Sequence, residues 1–597
     1  MRKYIVLSIL LVFAVVANAV PAQRVWKSYV QSDGSQLRLM MQGDENLHYY
    51  KTTDGLVAMR NDLGQFVYAQ VRNQQLHETD MLVHDKEMRS TEEQAFVNTL
   101  GDVATECRRL SATANTFPKK IGEPTGVFEG EKRGLVVMVS FNDLDFTITK
   151  DQLEEMLNQT GYTNSFGAIG SVHDYFLSQS YNRFSLVFDV VGPIKLPKNS
   201  SYYGYNSQGH DSYNRVAEFV KESIRLAADE ADLTKYDWDG NGYVDQVFLY
   251  YAGYGEATGG DASTIWPHES QVYPALSYDG VKMQTYACSN ELNGSEGDTM
   301  MGIGTFCHEF THCLGIPDFY DTSDETDNYG MGIFDPMCQG SYNGDSWIPA
   351  PYTGYERHFC GWKNYRLLSE PCRVSKLECI ENGGETYQIV NPGNADEYYL
   401  LENRNGSYGW DRGLYTNSGG QRISGLLVTH VTYVKNRWTY NTVNAGNEYQ
   451  CMTIFHADNS DATTMEYMGQ TYLDVNEYFG DLYPHRVSLT ENHNSLSDTS
   501  TPQDVLNTPN TDGSYLMHTS VTSITKQSRY VNFTFMNGTL PWSDPDGIQE
   551  VTAQGQAAAG VYNLSGVRVS QEKDDVSLPH GIYIVRDQEG RSTKVRK

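Results

Sequence analysis

Hydrophobic residues form two patterns in the middle of the chain. Residues 135–141 form a continuous apolar run of strand length, typical of a strand that is buried on both faces, and residues 186–191 and 246–251 are interpreted as further buried strands. Residues 150–158 and 212–228 instead carry apolar positions at helical spacing, on one face of each helix. Since helices alternate with buried strands, we predict an α/β layer architecture for a core domain over residues 131–364.

The regions on either side of this core have shorter hydrophobic segments. Residues 23–130 show short strands and turns and no recognisable catalytic constellation, so we interpret them as a pro-segment. Residues 365–540 alternate apolar and polar positions between Gly, Asn and Asp clusters, which favours a β-sandwich-like module. A linker is predicted at residues 541–550, and residues 551–597 are long enough for a small C-terminal β-domain.

The first residues have the features of an export signal. Basic residues precede an apolar run over residues 4–17, and Ala17-Asn18-Ala19 fits the pattern that signal peptidase cuts. We predict a signal peptide over residues 1–19, with a cut as late as residue 22 as the alternative. The run is shorter than the roughly 18 apolar residues of a membrane span. We therefore expect a protein that is secreted, extracellular or attached to the outer cell surface, without membrane insertion; an uncleaved anchor is the other interpretation.

The charge and the cysteine count narrow the classes of partner and compartment. A formal net charge of −30 over 597 residues disfavours nucleic acid and anionic lipid as partners, and it leaves carboxylates available for divalent cations. Nine cysteines allow disulfides in an exported chain, but the odd number leaves at least one unpaired. Cys107 lies far upstream of the other eight and is the candidate for the unpaired thiol.

The segment from His308 to Asp318 predicts a zinc site. His308 and His312 are four residues apart, so on a helix both imidazoles can meet one tetrahedral ion. Glu309 is rotated about 100° from His308, which allows its carboxylate to reach a metal-bound water without being a ligand. Gly315 lets the chain turn, and Asp318 can return to the open side of the metal as a third protein ligand.

These residues predict a zinc-dependent endopeptidase that hydrolyses extracellular proteins. Zinc held by His308, His312 and Asp318 lowers the pKa of one bound water towards neutrality. Glu309 acts as the general base for the attack on the peptide carbonyl and then passes the proton to the leaving amine. The alternative from another class is a surface-binding protein with a zincin fold and no turnover, against which the intact Glu309 argues.

A second group of oxygen side chains predicts a calcium site. They occupy positions 1, 3, 5 and 9 of a loop that resembles the first part of an EF-hand, at Asp237, Asp239, Asn241 and Asp245. Position 12 is Phe248 instead of Glu and belongs to an apolar run, so the loop is not a true EF-hand. The alternative interpretation is a hairpin loop rich in Asx-turns.

The zinc motif continues into Phe319-Tyr320-Asp321, and with this continuation the chain resembles the immune inhibitor A-like family of secreted zinc metallopeptidases. Residues 43–49, 170–181, 397–404 and 480–484 resemble other parts of that family, from its pro-region to its β-module. The resemblance implies a metzincin-like zincin fold, peptide hydrolysis and a zymogen with a removable pro-region. Met337 lies in a turn-rich stretch, where metzincins have a Met-turn.

Two site assignments stay open within this resemblance. Most metzincins use His as the third ligand, so Asp321 remains a rival to Asp318. The residue that stabilises the oxyanion is unassigned because no Tyr stands two residues after Met337, and Tyr342 is the candidate.

Two further hypotheses concern export and latency. Residues 560–569, 578–585 and 594–597 resemble the sorting domain of type IX secretion cargo, which implies the secretion machinery as a partner; a small adhesive β-domain is the alternative. Cys107 is followed by Arg108 and Arg109, which favour a thiolate, so we hypothesise a cysteine switch that fills the open metal position. A pro-region carboxylate such as Asp44, or steric cover alone, is the other possibility.

Overall fold

The computed structural model describes two compact units, residues 1–542 and 543–597. The described ranges are 20–61, 63–111, 128–207, 209–323, 328–417, 419–446, 448–462, 464–467, 470–473, 475–543, 560–562, 568–570, 582–586 and 592–596. The predicted signal peptide and most of the predicted linker lie outside these ranges.

The chain begins with a six-stranded antiparallel meander in which sequential strands are neighbours. Its strands are β1 (Lys27–Val30), β2 (Gln36–Gly43), β3 (His48–Thr52), β4 (Val57–Arg60), β5 (Phe66–Arg72) and β6 (Gln75–Leu82). Helices α1 (Thr91–Val97) and α2 (Val103–Ser111) follow. One face of the sheet packs against Ala257 and Trp266 of the next domain. Apolar residues of α2 cover the other face.

The thiol of Cys107 lies in the core beneath α2. It is fully buried and packs in one cluster with Leu47, Tyr49 and Leu76 of the first sheet. A cysteine switch requires this thiol to lie at His308 and His312. The cysteine-switch hypothesis is therefore wrong for this structure, because the apolar face of α2 turns Cys107 into the sheet.

The described residues between 128 and 323 contain seven strands and five α-helices of the central domain. The strands are β7 (Gly130–Ser140), β8 (Phe184–Lys195), β9 (Asn206–Ser207), β10 (His210–Asp211), β11 (Val247–Tyr254), β12 (His268–Tyr278) and β13 (Val281–Leu292). The helices are α3 (Lys150–Asn158), α4 (Val172–Gln179), α5 (Ser200–Tyr203), α6 (Tyr213–Ala227) and α7 (Ile303–Cys313). Strands β9 and β10 pair with each other, and the other five form one sheet in the order β12-β13-β11-β7-β8.

The central sheet is parallel except at one edge, and helices cover both of its faces. Only β12 runs antiparallel to its neighbour β13. In β7, Leu135, Val137 and Val139 pack towards α6, whereas Val136 and Met138 pack towards α3, α4 and α7. This arrangement explains why the middle strands β7 and β11 bury nearly every side chain of their apolar runs, since helices cover both of their faces. Strand β8 lies at the edge of the sheet and alternates buried with half-buried positions over residues 186–190.

The following region contains helix α8 (Gly354–Phe359) and two sheets packed face to face. The larger sheet has the order β14-β16-β17-β18-β19 and the smaller one β15-β23-β22. The strands are β14 (Arg366–Leu367), β15 (Cys372–Leu377), β16 (Tyr387–Asn391), β17 (Asn394–Asn405), β18 (Ser424–Thr432), β19 (Met452–Ile454), β20 (Thr464–Tyr467), β21 (Gln470–Leu473), β22 (Val521–Gln527) and β23 (Tyr530–Phe535). Ile389 and Val428 of the larger sheet share a core with Leu377 and Phe533 of the smaller one, as in a β-sandwich. Helix α9 (Lys435–Thr439) follows β18, and β20 and β21 form a separate hairpin.

The second unit contains a small antiparallel sheet with the order β25-β24-β26-β27. Its strands are β24 (Gly560–Tyr562), β25 (Arg568–Ser570), β26 (Ile582–Arg586) and β27 (Ser592–Arg596). None of the helices in the described ranges has the length and apolar character of a membrane span. All nine cysteines lie in the described ranges, and each of them is buried.

Candidate metal centre

Helix α7 carries His308, Glu309 and His312 in the interior of the protein, since every residue of the helix is buried. The helix passes so close to a neighbouring loop that a Cβ atom at Gly304 would lie 1.9 Å from the carbonyl oxygen of Ser341. At the other end, Gly315 adopts a left-handed φ of 101° and its N–H donates to the carbonyl of His312 at 2.8 Å. Glycine permits this turn, which directs the chain back towards the two histidines.

Both imidazoles are oriented by backbone carbonyls. Nδ1 of His308 lies 2.7 Å from the carbonyl oxygen of Pro336, and Nδ1 of His312 lies 2.8 Å from that of Ile316. A carbonyl oxygen only accepts hydrogen bonds, so each Nδ1 carries the proton. In the neutral ring, each Nε2 is thereby left with a lone pair, the form that a metal ligand requires.

Asp318 brings a carboxylate oxygen to these two nitrogens. Its Oδ1 lies 3.1 Å from Nε2 of His308 and 3.3 Å from Nε2 of His312. Three ligands at about 2.0–2.1 Å from one tetrahedral ion are about 3.3 Å apart. The donor types and their separations therefore fit a zinc ion held by His308, His312 and Asp318.

Asp318 itself is positioned by Asn441, which follows α9 in the β-sandwich region. The side-chain amide of Asn441 donates to Oδ2 of Asp318 at 2.5 Å, and its Oδ1 accepts from the N–H of Asp318 at 2.7 Å. Oδ1 of the carboxylate is thus turned towards the histidines. A partner of this kind fixes the orientation of a metal ligand.

Asp321 has a different environment from Asp318. Its carboxylate accepts hydrogen bonds from the N–H and the hydroxyl of Ser323, at 3.0 and 2.7 Å, and from the N–H of Asn328 at 3.3 Å. These contacts close a turn in the loop after the zinc motif. Of the two aspartates that the sequence left as rivals, the geometry therefore favours Asp318 as a ligand.

Two carboxylates dominate the electrostatics around the histidines. Burial alone lowers the pKa of His308, but the hydrogen bond with Asp318 and the negative charge of Glu309 outweigh burial and raise this pKa above its ordinary value. Glu309 and the two histidines each offer a donor atom within 4.8 Å of the others. A divalent cation at this position would be stabilised by the same carboxylates that stabilise the imidazolium.

The first described residues of the chain occupy the approach to Glu309. The N–H of Val20 donates to Oε1 of Glu309 at 2.8 Å. The indole N–H of Trp266 donates to the carbonyl of Val20 at 3.1 Å, and the hydroxyl of Tyr342 donates to that of Pro21 at 2.7 Å. Residues 20 and 21 are therefore held beside Glu309, and the alternative of a pro-region carboxylate such as Asp44 stays open.

The loop before β11 brings together three of the four residues predicted for calcium. Asp237, Asp239 and Asp245 each offer an oxygen within 4.8 Å of the others. The side chain of Asn241 is turned into the loop, where it accepts from the N–H of Tyr243 at 2.8 Å and donates to Oδ2 of Asp239 at 2.9 Å. The loop therefore combines a three-carboxylate cluster with the turn hydrogen bonds of the alternative interpretation.

Comparison with known proteins assigns the central domain to a family. Residues 139–364 match the family model of the immune inhibitor A peptidase M6 catalytic domain. The chain contains an M6 peptidase domain. This finding confirms the family resemblance read from the zinc motif, and makes the central domain a metallopeptidase domain. The resemblance of residues 551–597 to a sorting domain stays a prediction.

The relatives of the M6 peptidase domain include two curated proteins. Pre-pro-metalloprotease PrtV of Vibrio cholerae is 26% identical over 299 residues, which are 42% of this chain and 32% of the relative. Immune inhibitor A of Bacillus thuringiensis subsp. alesti is 25% identical over 206 residues, 30% of this chain and 29% of the relative. The chain thus spans less than one third of the length of each. Among solved structures, metalloproteinase-II from Bacteroides fragilis is similar with 11% identity and a TM-score of 0.19, over 57% of this chain and 86% of that one.

Two residues near the histidines of the M6 peptidase domain escaped sequence reasoning. Asn441 lies 123 residues after Asp318, and a lone asparagine in a loop carries no local signal of a partner. The sequence does mark Val20 as the first residue after the predicted signal-peptide cut at Ala19. It does not indicate that this residue lies next to Glu309.

Proposed function

We propose that the protein is an exported zinc-dependent endopeptidase that cleaves peptide bonds of extracellular proteins. The observation that carries this proposal is the spacing of Nε2 of His308, Nε2 of His312 and Oδ1 of Asp318, with separations of 3.1 and 3.3 Å from the carboxylate oxygen to the two nitrogens. We assign these three side chains as zinc ligands. Asn441 and the carbonyls of Pro336 and Ile316 hold them in orientation.

When bound, zinc supplies a Lewis acid that polarises the peptide carbonyl and lowers the pKa of water. The chain supplies the proton transfer. Glu309 lies beside His308 without being needed as a ligand, so its carboxylate accepts the proton of the attacking water and returns it to the leaving amine. Its Oε1 already accepts a hydrogen bond from a backbone nitrogen, that of Val20, which supports this assignment.

The contacts of Val20 support a second part of the proposal, a zymogen. In the full-length chain, residues 20–22 occupy the space in front of Glu309 that a substrate must enter. We therefore propose that residues 23–130, together with this short segment, form a removable pro-segment. Signal peptidase cuts after Ala19, and the C-terminal unit directs the protein to the secretion machinery and the cell exterior.

The calcium assignment belongs to the same proposal. We assign Asp237, Asp239 and Asp245 as calcium ligands, and Asn241 as a fourth ligand that has to turn its Oδ1 outwards from the loop. Trp238 connects this loop to the central sheet, since its indole N–H donates to the carbonyl of Arg133 on β7 at 2.8 Å. A bound ion would therefore stabilise the loop and the adjacent part of the sheet.

Casein hydrolysis by protein freed of its pro-segment tests the proposal. We expect turnover with one zinc per chain, loss of turnover with a zinc chelator, and recovery when zinc is returned. The matched variant Glu309→Ala should bind zinc and cleave nothing. Absence of turnover in zinc-loaded, processed protein on casein, gelatin and a peptide library would overturn the proposed function.

A further inference from the structure

The catalytic domain holds residues 20–23 through their main chain. Besides the bonds from Trp266 to the carbonyl of Val20 and from Tyr342 to that of Pro21, the carbonyl of Ala257 accepts from the N–H of Gln23 at 3.0 Å. All three bonds involve backbone atoms of the segment. Such bonds do not depend on side chains, so another peptide could make them in the same place.

Residues 20–24 run away from Glu309 in the direction that substrate residues after the cleaved bond would follow. Under the proposed function, on which this inference rests, Glu309 returns a proton to the amine that leaves on the carboxyl side of the cut. The nitrogen of Val20 lies 2.8 Å from Oε1 of Glu309 and so corresponds to that amine. Residues after Val20 then correspond to substrate residues after the cut, and Arg24 corresponds to the fifth.

Arg24 lines a cavity of 840 Å³ at the edge of this path. The walls of the cavity come from three parts of the chain: the proposed pro-segment, which is called the first segment below, the M6 domain and the β-sandwich region. From the M6 domain come Tyr342 and Asp345, and from the β-sandwich region come Tyr415 and Tyr478. The rings of Tyr415 and Tyr478 are stacked, with centroids 5.5 Å apart and planes at 13°. The β-sandwich region thereby extends the cleft beyond the M6 domain.

The walls that remain after removal of the first segment favour a cation. Among the described residues that line the cavity, the basic ones are Arg24 and Lys51, and both belong to the first segment. The acidic ones, Asp345 and Asp461, belong to the parts that stay. Burial raises the pKa of Tyr478, and the positive charge of Arg24 acts against this rise. Aromatic faces and carboxylates together attract a guanidinium or ammonium group.

We propose that Tyr415, Tyr478 and Asp345 form a substrate subsite that takes a basic side chain at the fifth residue after the cleaved bond. In the full-length chain Arg24 lines the same cavity. In the processed enzyme an arginine or lysine of the substrate fills the subsite. The M6 domain and the β-sandwich region thus together determine which proteins are cut, although the zinc ligands lie in the M6 domain alone.

Peptides that differ only at the fifth residue after the cut test the subsite. With protein that has lost its pro-segment, we expect kcat/KM to be about fivefold to tenfold higher for Arg than for Glu at that residue. Asp345→Asn and Tyr415→Ala should reduce this ratio, whereas the exposed control Asp229→Asn should not. Asparagine suits position 345 because it tolerates the left-handed φ of 55° found there. A ratio near one, or a ratio that both substitutions leave unchanged, would overturn the subsite while hydrolysis itself upholds the proposed function.

A binding measurement separates the subsite from catalysis. A fluorescent peptide with the sequence of residues 20–27 is titrated onto Glu309→Gln protein from which an added protease has removed the pro-segment. We expect a peptide with Glu in place of Arg24 to bind about tenfold more weakly. In Asp345→Asn protein the affinities of the two peptides should differ by less. Equal binding of the two peptides contradicts the subsite, even if the enzyme proves inactive on every substrate.

Discussion

Asn441 donates a hydrogen bond from its side-chain amide to Oδ2 of Asp318 at 2.5 Å, across 123 residues of sequence. Without this bond the carboxylate of Asp318 is still present but is no longer held in one orientation. We expect Asn441→Ala to weaken zinc binding about 10- to 100-fold, as measured by competition with a chromogenic chelator. The exposed Asn436→Ala is the control and should bind zinc as the unmodified chain does. Equal zinc affinity in both variants would show that Asn441 has no role at the metal.

Glu309→Ala should separate zinc binding from turnover. The three ligands remain, so the zinc content should stay near one per chain, whereas loss of the general base should lower kcat by a factor of at least about 10² to 10⁴. Mass spectrometry of the native protein and casein hydrolysis measure the two quantities. Loss of zinc together with activity would reveal a structural role for Glu309 that its position does not suggest.

Asp318→Ala and Asp321→Ala should differ in metal content. The carboxylate of Asp318 lies 3.1 and 3.3 Å from the two imidazole nitrogens, whereas that of Asp321 accepts from Ser323 and Asn328. We expect Asp318→Ala to lose zinc on dialysis. Asp321→Ala should retain zinc and lower the melting temperature of the protein by a few degrees at most. The reverse order of zinc content would transfer the ligand role to Asp321.

Calcium should raise the melting temperature through the loop before β11. Because three carboxylates lie within 4.8 Å of one another there, a bound ion relieves their mutual repulsion and stabilises the loop. We expect Asp239→Ala to abolish the shift that calcium causes in a zinc-saturated sample, while the exposed control Asp229→Ala retains it. Identical melting curves with calcium and with a calcium-selective chelator would favour the hairpin interpretation.

Acid should destabilise the β-sandwich region through Glu397. Burial alone raises the pKa of this carboxyl, but hydrogen bonds from His430, Thr508 and the N–H of Asn507 outweigh burial and lower the pKa from 4.5 to about 2. A depressed carboxyl pKa stabilises the fold above the unfolded value near pH 4.5, and this contribution disappears as the pH falls towards 2.

The change from pH 7 to pH 3 should therefore lower the melting temperature of the unmodified chain more than that of Glu397→Gln. The exposed Glu448→Gln serves as the control and should behave as the unmodified chain does. If Glu397→Gln loses as many degrees as the unmodified chain, the carboxylate does not contribute to acid sensitivity.

The features that the sequence predicted well are those encoded within a few residues. The predicted strands at 135–141, 186–191 and 246–251 agree with β7, β8 and β11 to within one residue, and the predicted helix at residues 150–158 is α3. His308, Glu309 and His312 lie together because a single helix turn sets their spacing. The turn at Gly315 and the approach of Asp318 followed from the same short segment.

The features that the sequence did not reveal depend on contacts between distant segments. Strands β12 and β13 were missed because their polar and apolar positions alternate irregularly around a bulge between Gln271 and Leu276. Asn441 and Val20 contact Asp318 and Glu309 from positions that are more than 100 residues away in the sequence. Their roles can therefore be recognised only in the folded chain. The prediction for Cys107 was wrong for a related reason: the adjacent arginines suggested a reactive thiol, but the packing of α2 buries this side chain.

The burial of all nine cysteines has a practical consequence for work with this protein. A thiol that packed side chains cover is inert towards reagents in solution. A thiol-selective alkylating agent should therefore leave the folded chain unlabelled and react only as the chain unfolds. The rate of labelling would then report the opening of the fold without an added probe.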